Sequence, residues 1–388
     1  MDLCVGADGN PPVKGPYCRG AHRASTGARG YRTGVTTGLC AAAAAKAATI
    51  ALLTSVPVDR VEVKTAGGAT IALDVTGFAQ DDGLASCAVT KDAGDDPDVT
   101  NGARIFATVC KTDSGEIEID GGEGVGRVTK PGLKVPVGKA AINPAPMEMI
   151  RSAVAGVCAT HAYTGGVKVV ISIPGGADMA KKTMNGRLGI VGGLSILGTT
   201  GVVEPMSNRA IVETIKTEID VQVASGNKNL LITPGNYGRD FAGSVLGLDI
   251  EEAVKCSNFI GETLDYACMK GVDSIMLIGH AGKLVKLAGG VMNTHSSVAD
   301  CRMEIIAAHS ALAGVGAEDI KRIMECATTE AAIVILISLG VSGQVWESIG
   351  RKIGFHLRER AGGRLKAGFI VFTQEHGVLT DSAVDGAI

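Results

Sequence analysis

The sequence predicts a two-domain protein, with an α+β N-terminal domain followed by an α/β domain that has a mostly parallel sheet. A chain of 388 residues exceeds the usual size of one domain. Short β-type segments recur between residues 61 and 119, whereas continuous apolar segments alternate with helical patterns after residue 164. The chain also has 54 glycines against 3% aromatic residues, which indicates many tight turns.

Charge, cysteine usage and hydropathy exclude several protein classes. A formal net charge of −3 argues against a nucleic-acid binder, whose surface would be basic. Ten cysteines are scattered without a CxxC pair, which is typical of reduced core residues and gives no reason to expect a protein metal site. The N-terminal residues do not resemble a signal peptide, and the apolar run at 331–340 is too short to cross a bilayer. We therefore expect a cytoplasmic protein that is not inserted in a membrane.

The N-terminal domain is predicted to span residues 29–163, after a mobile tail at 1–28 that is rich in Gly, Pro, Ala and Arg. An alanine-rich helix follows Thr36 or Thr37, either of which is a suitable N-cap. The β-type segments between 61 and 119 predict an antiparallel sheet with hairpins. A helix is predicted after Pro144 and Pro146 at its entry.

The second domain is predicted to span residues 164–388. Its predicted strands are VKVVISI, LSILG, NLLIT and SIMLI. Its predicted helices lie near 204–218, 259–270, 296–313 and 345–361. Ser297 and Asp300 resemble a capping box for the third of these helices. A further helix is predicted over TTEAAIVILISLG, because Thr328 offers a cap and Gly340 a stop.

A glycine-bearing loop is the candidate cofactor site. The predicted strand LSILG ends in a glycine turn, and a helix is predicted to begin near Glu204, which is the arrangement of a nucleotide-type binding loop. The candidate cofactor-binding residues are Gly198, Thr199, Thr200, Gly201 and Glu204. The alternative is an ordinary turn between strand and helix, because the full GxGxxG spacing is absent.

Two groups of residues are candidates for binding an anionic substrate. The helix start at Thr36, Thr37 and Gly38, helped by Arg32, offers N–H groups and a positive helix end to a carboxylate. The alternative is an ordinary capped helix. Basic side chains elsewhere could also grip carboxylates, and these are Lys130, Lys134, Arg187 and Lys283. The alternative for them is the usual solvated surface position.

His280 and Lys283 follow the predicted strand SIMLI, where ligands of open α/β sheets gather. His280 is the candidate catalytic base, because imidazole titrates near neutral pH. His295, which precedes a predicted helix, is a candidate substrate contact. Either histidine could instead be structural. The segment TPGNYGRDFA follows the strand NLLIT, and its polar side chains either contact a ligand or cap a helix.

Several long motifs, distributed over both predicted domains, resemble the cobalt-precorrin-5B (C-1)-methyltransferase family of anaerobic cobalamin biosynthesis. They include YRTGVTTGLCAAAAAKAA, PVGKAAINPAPMEMI, RLGIVGGLSILGTTGVVEPMS, TPGNYGRDFA and IGHAGKLVKLAGGVMNTHSSVADCRMEI. The resemblance runs from about Arg29 to the C-terminus. It implies that S-adenosylmethionine donates a methyl group to C-1 of cobalt-precorrin-5B, giving cobalt-precorrin-6A and S-adenosylhomocysteine.

The same resemblance implies a small-molecule corrinoid as the partner, with cobalt present only as part of the substrate. It also makes the glycine loop the preferred cofactor site. A homo-oligomer is compatible with the sequence. We expect the substrate in the N-terminal domain and the cofactor in the second, with the reacting carbon in a cleft between them. Two other functions remain open, an NAD-dependent oxidoreductase and a noncatalytic corrinoid-binding protein.

Overall fold

A computed structural model describes residues 30–382 of the chain, so the predicted tail at 1–28 lies outside the described residues. The helices in this part are α1 Thr37–Thr54, α2 Pro144–Thr160, α3 Gly176–Ala180, α4 Asn208–Ala224, α5 Asn236–Ser244, α6 Ile260–Met269, α7 Ala281–Leu284, α8 Arg302–Leu312, α9 Ala317–Met324, α10 Thr329–Ser338 and α11 Ser342–Ala361. A short 3-10 helix covers Val285–Gly289.

The strands of the same described part are, in chain order, β1 Gly34–Val35, β2 Arg60–Lys64, β3 Thr70–Asp74, β4 Thr76–Asp81, β5 Leu84–Thr90, β6 Arg104–Thr112, β7 Ile117–Gly121, β8 Arg127–Val128, β9 Gly166–Ser172, β10 Ile190–Val191, β11 Val202–Val203, β12 Asn229–Thr233, β13 Val254–Lys255, β14 Ser274–His280, β15 Lys366–Thr373 and β16 Gly377–Ser382. The protein is a mixed α/β fold, and its sheets have mixed orientation.

The described chain divides into two units that are not continuous in sequence. The first unit contains the residues up to Gly124 together with Ile142–Gly176 and Ile196–Pro205. The second unit contains Val125–Ala141, Ala177–Ser195 and the residues from Met206 onward. A single boundary near residue 163 is therefore wrong, because the chain passes between the units more than once.

The first unit is built around α1. Its sheet has the order β4-β5-β6-β9-β7, and α1 packs on β5, β6 and α2. The eight alanines of α1 are fully buried, because their small side chains let the sheet and α2 approach closely. The predicted N-cap is confirmed at Thr36, whose side chain accepts a hydrogen bond from the N–H of Leu39. This helix is long and apolar enough to span a membrane, yet 78% of it is buried inside the protein, as in a core helix.

The segment VKVVISI forms β9 but lies in the first unit, not the second. It pairs antiparallel with β6 and parallel with β7, so it completes the sheet that the N-terminal strands begin. The predicted helix after Pro144 is confirmed, and it begins at Pro144 itself. Residues 161–165 connect α2 to β9, and both elements belong to the first unit.

The second unit has a sheet with the order β13-β12-β14-β15-β16. β12 pairs parallel with β13 and β14, and β14 pairs parallel with β15, whereas β15 and β16 are antiparallel. The predicted strands NLLIT and SIMLI are confirmed as β12 and β14. The helix predicted after Thr328 is confirmed as α10, and the Thr328 side chain caps it.

Two sequence predictions in this unit are wrong. The helix predicted at 296–313 begins only at Arg302, because Asp300 binds the Arg302 guanidinium and Ser297 bonds His295 instead of forming a capping box. The helix predicted near 204–218 begins at Asn208 with Ser207 as its N-cap. The helical starts therefore shift toward the C-terminus in both places.

The ion pair between Lys91 and Asp98 stabilises the first unit. The Lys91 side chain is 2% exposed, and its Nζ lies 2.6 Å from Asp98 Oδ2. Burial opposes ionisation of Asp98, but hydrogen bonds from Lys91 and Thr100 outweigh it and lower the pKa of that carboxyl. The group therefore contributes stability above pH of about 4, which is lost as the pH falls through its lowered pKa.

We expect Lys91→Met to destabilise the protein by about 2 kcal/mol, because Asp98 would keep a partly buried charge without its partner. Urea unfolding at pH 7 measures this loss, and Asp98→Asn should remove the contribution of this carboxyl to the acid dependence below pH of about 4. Arg60→Met is the matched control, since its guanidinium pairs with Asp74 at the surface. Equal effects of the Lys91 and Arg60 changes would contradict the prediction.

Candidate functional site

The carboxyl edge of the second unit's sheet contains a topological switch point. The chain leaves β12 for its neighbour β13 on one side and leaves β14 for its neighbour β15 on the other. β12 and β14 are adjacent parallel strands, and the segments that follow them therefore run toward opposite sides of the sheet. Ligands of open α/β sheets bind at such positions. The predicted location of His280 and Lys283, after the strand SIMLI, falls at this edge.

Both ring nitrogens of His280 are engaged at this edge. Nδ1 accepts a hydrogen bond of 3.3 Å from the N–H of Gly282, so the neutral ring carries its proton on Nε2. Nε2 lies 3.2 Å from Glu330 Oε1, to which it can donate that proton. Phe372 meets the ring edge to face, with 5.7 Å between the centroids. His280 is therefore held between the start of α7 and the start of α10.

Lys283 joins the segments that follow the two strands. Its Nζ donates a hydrogen bond of 3.1 Å to the carbonyl of Pro234, directly after β12. Burial lowers the pKa of Lys283, and the charges of Lys255 and Lys286 lower it further. The nearby Cys256 thiol does not supply a balancing negative charge, because burial raises its pKa to about 12.

The start of α5 lies beside this lysine. Gly235 is the N-cap and provides no side chain to cap the helix. Lys255, at the end of β13, donates a hydrogen bond of 2.8 Å from Nζ to Asn236 Oδ1. The Tyr237 ring is 65% exposed and lies 6.4 Å from the His280 ring. Two ammonium groups and an exposed aromatic ring thus surround the first turn of α5.

Two buried hydroxyl groups at this edge have no hydrogen-bond partner among the described residues. Thr233 Oγ1 lies at the end of β12, and Thr329 Oγ1 lies at the start of α10 near Gly282. Both threonines are 1% exposed. Buried polar atoms are usually satisfied, so such groups are expected where a ligand binds. Hydroxyls, ammonium groups and helix N–H groups are donors that suit a ligand with carboxylate or hydroxyl groups.

The loop that contains His295 is attached to the segment after β13. The Lys286 side chain is 3% exposed, and its Nζ donates to the carbonyls of Thr294 and Ala299 at 3.2 and 2.8 Å. The N–H of Thr294 donates to the carbonyl of Asn258 at 3.0 Å. His295 Nδ1 lies 2.7 Å from Ser297 Oγ. Lys286 therefore fixes this loop, and the proposed contact of His295 with substrate stays a prediction.

The glycine loop and the start of α1 lie together in the first unit. A Cβ atom on Gly198 would lie 2.3 Å from the Thr36 side chain. The N–H of Thr36 donates to the Gly201 carbonyl at 3.1 Å, and the N–H of Gly38 donates to the Leu197 carbonyl at 3.0 Å. Thr37 is 3% exposed. The helix start is therefore less open than the sequence predicts, because residues 197–201, far along the chain, accept the N–H groups of Thr36 and Gly38; its contact with substrate stays a prediction.

The expected strand, glycine turn and helix are also wrong for this loop. Leu194 and Ile196 make only single bridges, to Val125 and Ile142. Gly201 is followed by β11, which pairs with β1, and α4 begins later. The two segments also belong to one unit, so the predicted assignment to separate domains fails. Thr199, Thr200 and Glu204 are exposed, and their contact with a cofactor stays a prediction.

The other basic candidates do not gather at the carboxyl edge. Arg32 forms a two-pronged ion pair with Asp92 in the first unit. Arg187 is partly buried, donates to the Ala253 carbonyl and lies 3.9 Å from Glu218. Lys130 and Lys134 are exposed in the second unit. Of the four basic residues predicted to form a cradle, Lys283 is the one that the structure places at this edge.

A separate groove lies in the first unit, between α1, α2 and β2. Its volume is about 460 Å³, and its floor is apolar, with Ile50, Val63, Met149 and Val157. None of the predicted site residues lines it. The convergence of charged and unpartnered groups at the carboxyl edge makes that edge the better candidate site.

Comparisons with known proteins give consistent matches. The model of the CbiD family matches residues 24–205, and that of the CbiD C-terminal domain matches residues 293–383. Three similar proteins are named cobalt-precorrin-5B C(1)-methyltransferase. The protein from Ruminiclostridium cellulolyticum is 51% identical and the match covers 90% of this chain and 91% of that protein. Those from Alkaliphilus metalliredigens and Methanocaldococcus jannaschii are 44% and 45% identical, and the matches cover 92% and 89% of this chain and 94% and 95% of those proteins.

One solved structure also matches, the cobalamin biosynthesis protein from Archaeoglobus fulgidus. It is 31% identical, and the match covers 67% of this chain and 80% of that chain with a TM-score of 0.38.

Proposed function

The chain belongs to the CbiD family, and from that membership we propose that it methylates cobalt-precorrin-5B at C-1 with S-adenosylmethionine as the donor. The product is cobalt-precorrin-6A, formed in anaerobic cobalamin biosynthesis. The name of the relatives, which match over about nine-tenths of their own length, supports this proposal. The partner is then a small corrinoid that brings its own cobalt, and the enzyme works in the cytoplasm.

We assign the methyl-donor site to the carboxyl edge of β12 and β14. The observation that carries this assignment is the Lys283 hydrogen bond to Pro234, which joins the two diverging segments at the switch point. Residues 198–204 are less suitable as the methyl-donor site, because the Thr36 side chain occupies the space beside Gly198 and the Thr65 side chain that beside Gly201. The mostly parallel sheet that the sequence predicts for the second domain fits this assignment.

Methyl transfer requires mainly alignment by the protein. S-Adenosylmethionine, when bound, supplies a methyl group on a positively charged sulfur, and the electrons of the breaking bond stay on that sulfur. The residues of this chain must hold the two ligands within about 3 to 3.5 Å of reacting atoms and exclude water. The exposed Tyr237 ring and the ring of His280 offer a surface for a flat ligand at the edge.

We propose that His280 is a positioning residue. Since Nδ1 accepts from Gly282 and Nε2 faces Glu330, neither nitrogen is open to a substrate proton in this arrangement. The ring holds a proton between itself and Glu330 and fixes the start of α7, from which Lys283 extends. A role as general base would require the Gly282 hydrogen bond to break first.

The decisive experiment is incubation of the purified protein with S-adenosylmethionine and cobalt-precorrin-5B, followed by mass spectrometry. We expect one added methyl group on the corrinoid and stoichiometric S-adenosylhomocysteine. Binding of the corrinoid without a mass increase would instead support a noncatalytic corrinoid-binding protein. In a parallel incubation with NAD in place of S-adenosylmethionine, reduction of NAD would support the oxidoreductase alternative.

A further inference from the structure

We infer that Thr233, Lys255, Lys283 and the first turn of α5 form a binding site for a carboxylate group of a ligand. The inference rests on the proposed function, because both ligands of that reaction carry carboxylates. One source is the amino-acid portion of S-adenosylmethionine, and the other is an acetate or propionate group of the corrinoid. The shared chemistry is one carboxylate that enters at the end of β12.

The first observation is the uncapped helix end. The N–H groups of Asn236, Tyr237 and Gly238 stand in the first turn of α5, where helical geometry provides no internal partner. The first hydrogen bond of the helix goes from the N–H of Arg239 to the Gly235 carbonyl at 3.3 Å. Such N–H groups and the positive helix end favour an anion.

The second observation is independent and comes from β12. Thr233 Oγ1 has no partner among the described residues and belongs to a residue that is 1% exposed. A Cβ atom on Gly238 would lie 3.4 Å from the Thr233 Cβ, so this side chain lies against the first turn of α5. A larger residue at 238 would also meet the Ile278 carbonyl at 2.5 Å. The Thr233 side chain therefore lies against the helix start, and its hydroxyl is unpartnered.

The third observation is the charge. Two ammonium groups bind the segment that leads into α5. Lys283 Nζ donates one hydrogen bond to Pro234, and Lys255 Nζ donates one to Asn236. An ammonium group has three hydrogens, so both retain donors. The carboxyl of Glu218 accepts the backbone N–H of Lys255, not its ammonium group. A ligand carboxylate could bind the donors that both ammonium groups retain.

Two substitutions test the site by calorimetry, Thr233→Val and Lys283→Met. Thr233→Val keeps the shape of the side chain, so it tests the hydroxyl even if Lys283→Met fails to fold. Lys321→Met is the matched control, since Lys321 is an exposed residue of α9 that pairs with Glu318. Circular dichroism checks that each variant is folded.

Two pairs of probes distinguish the carboxylate sources. S-Adenosylhomocysteine is compared with methylthioadenosine, which lacks the amino-acid carboxylate. Dicyanocobyrinic acid is compared with its heptamethyl ester, which has no free carboxylate. We expect both variants to bind one of the two carboxylate probes about tenfold more weakly or worse, with no change for its carboxylate-free counterpart. The probe that is affected identifies the source.

The inference is overturned if the folded variants bind both carboxylate probes like the wild type, or if they lose the carboxylate-free probes to the same degree. It is also overturned if the wild type binds neither carboxylate probe. Methyl transfer by the wild type is measured separately. If the wild type methylates the corrinoid and the variants bind the probes unchanged, only the carboxylate site is refuted. If the variants selectively lose binding of a carboxylate probe but the wild type shows no turnover, only the methyltransferase function is refuted.

Discussion

Gly198→Ala is expected to destabilise the protein by about 2 to 6 kcal/mol. Gly198 has a φ of +126°, a conformation that residues with a side chain rarely adopt. Its new Cβ would also lie 2.3 Å from the Thr36 side chain, at the buried N-cap of the central helix α1. The backbone strain and the overpacking therefore both lower the free energy of unfolding. Thermal and urea unfolding measure the loss.

Gly68→Ala is the matched control in the same unit. Gly68 has a φ of +89°, and no atom lies within 4 Å of the Cβ position, so only the backbone strain of about 1 to 2 kcal/mol applies. S-Adenosylmethionine binding should fall in Gly198→Ala only to the extent that the protein unfolds. A fully folded Gly198→Ala protein that no longer binds S-adenosylmethionine would show that the loop is the cofactor site after all.

Local signals in the sequence predicted the elements that depend on nearby residues. Thr36 and Thr328 were identifiable as caps because a cap bonds an N–H a few residues ahead. The strands NLLIT and SIMLI are continuous apolar runs bounded by polar turns, so their pattern indicates buried strands. The position of His280 at a strand end followed directly from the second of these predictions.

Elements that depend on distant partners were not predictable in this way. LSILG has the same apolar pattern as NLLIT, yet its residues make single bridges because no neighbouring strand is aligned with them. The segment VKVVISI was correctly predicted as a strand. Only its pairing with β6 and β7 places it in the first unit. An apolar run shows that a segment is buried, but not which sheet buries it.

The same limit applies to the candidate site. His280 and Lys283 were candidates from their own sequence context, whereas Glu330 and Lys255 join them only through the strand order and the start of α10. Thr233 had no distinguishing pattern, because its unpartnered hydroxyl is a property of the packed structure. Arg187 shows the converse, since a basic residue in a glycine-bearing loop proved to bond Ala253 inside its own unit.

The pairing of His280 with Glu330 predicts a large and nonadditive loss of activity. We expect His280→Asn and Glu330→Gln each to lower kcat for methyl transfer about a hundredfold, since a small displacement of the edge misaligns the reacting groups. Asn can still accept the Gly282 N–H as a cap, so the change removes mainly the contact of 3.2 Å with Glu330. KM should change little in either variant.

The double variant distinguishes a shared role from two separate ones. If the two side chains act as one unit, the double variant should be no slower than either single variant. His356→Gln, a change of another histidine in the same unit, should leave kcat near the wild-type value and controls for general effects. Single-turnover rates with saturating S-adenosylmethionine give the comparison. Multiplicative losses in the double variant, or a raised KM with unchanged kcat, would show that His280 and Glu330 do not position the edge together, and His280 would then have to act on the ligand by itself.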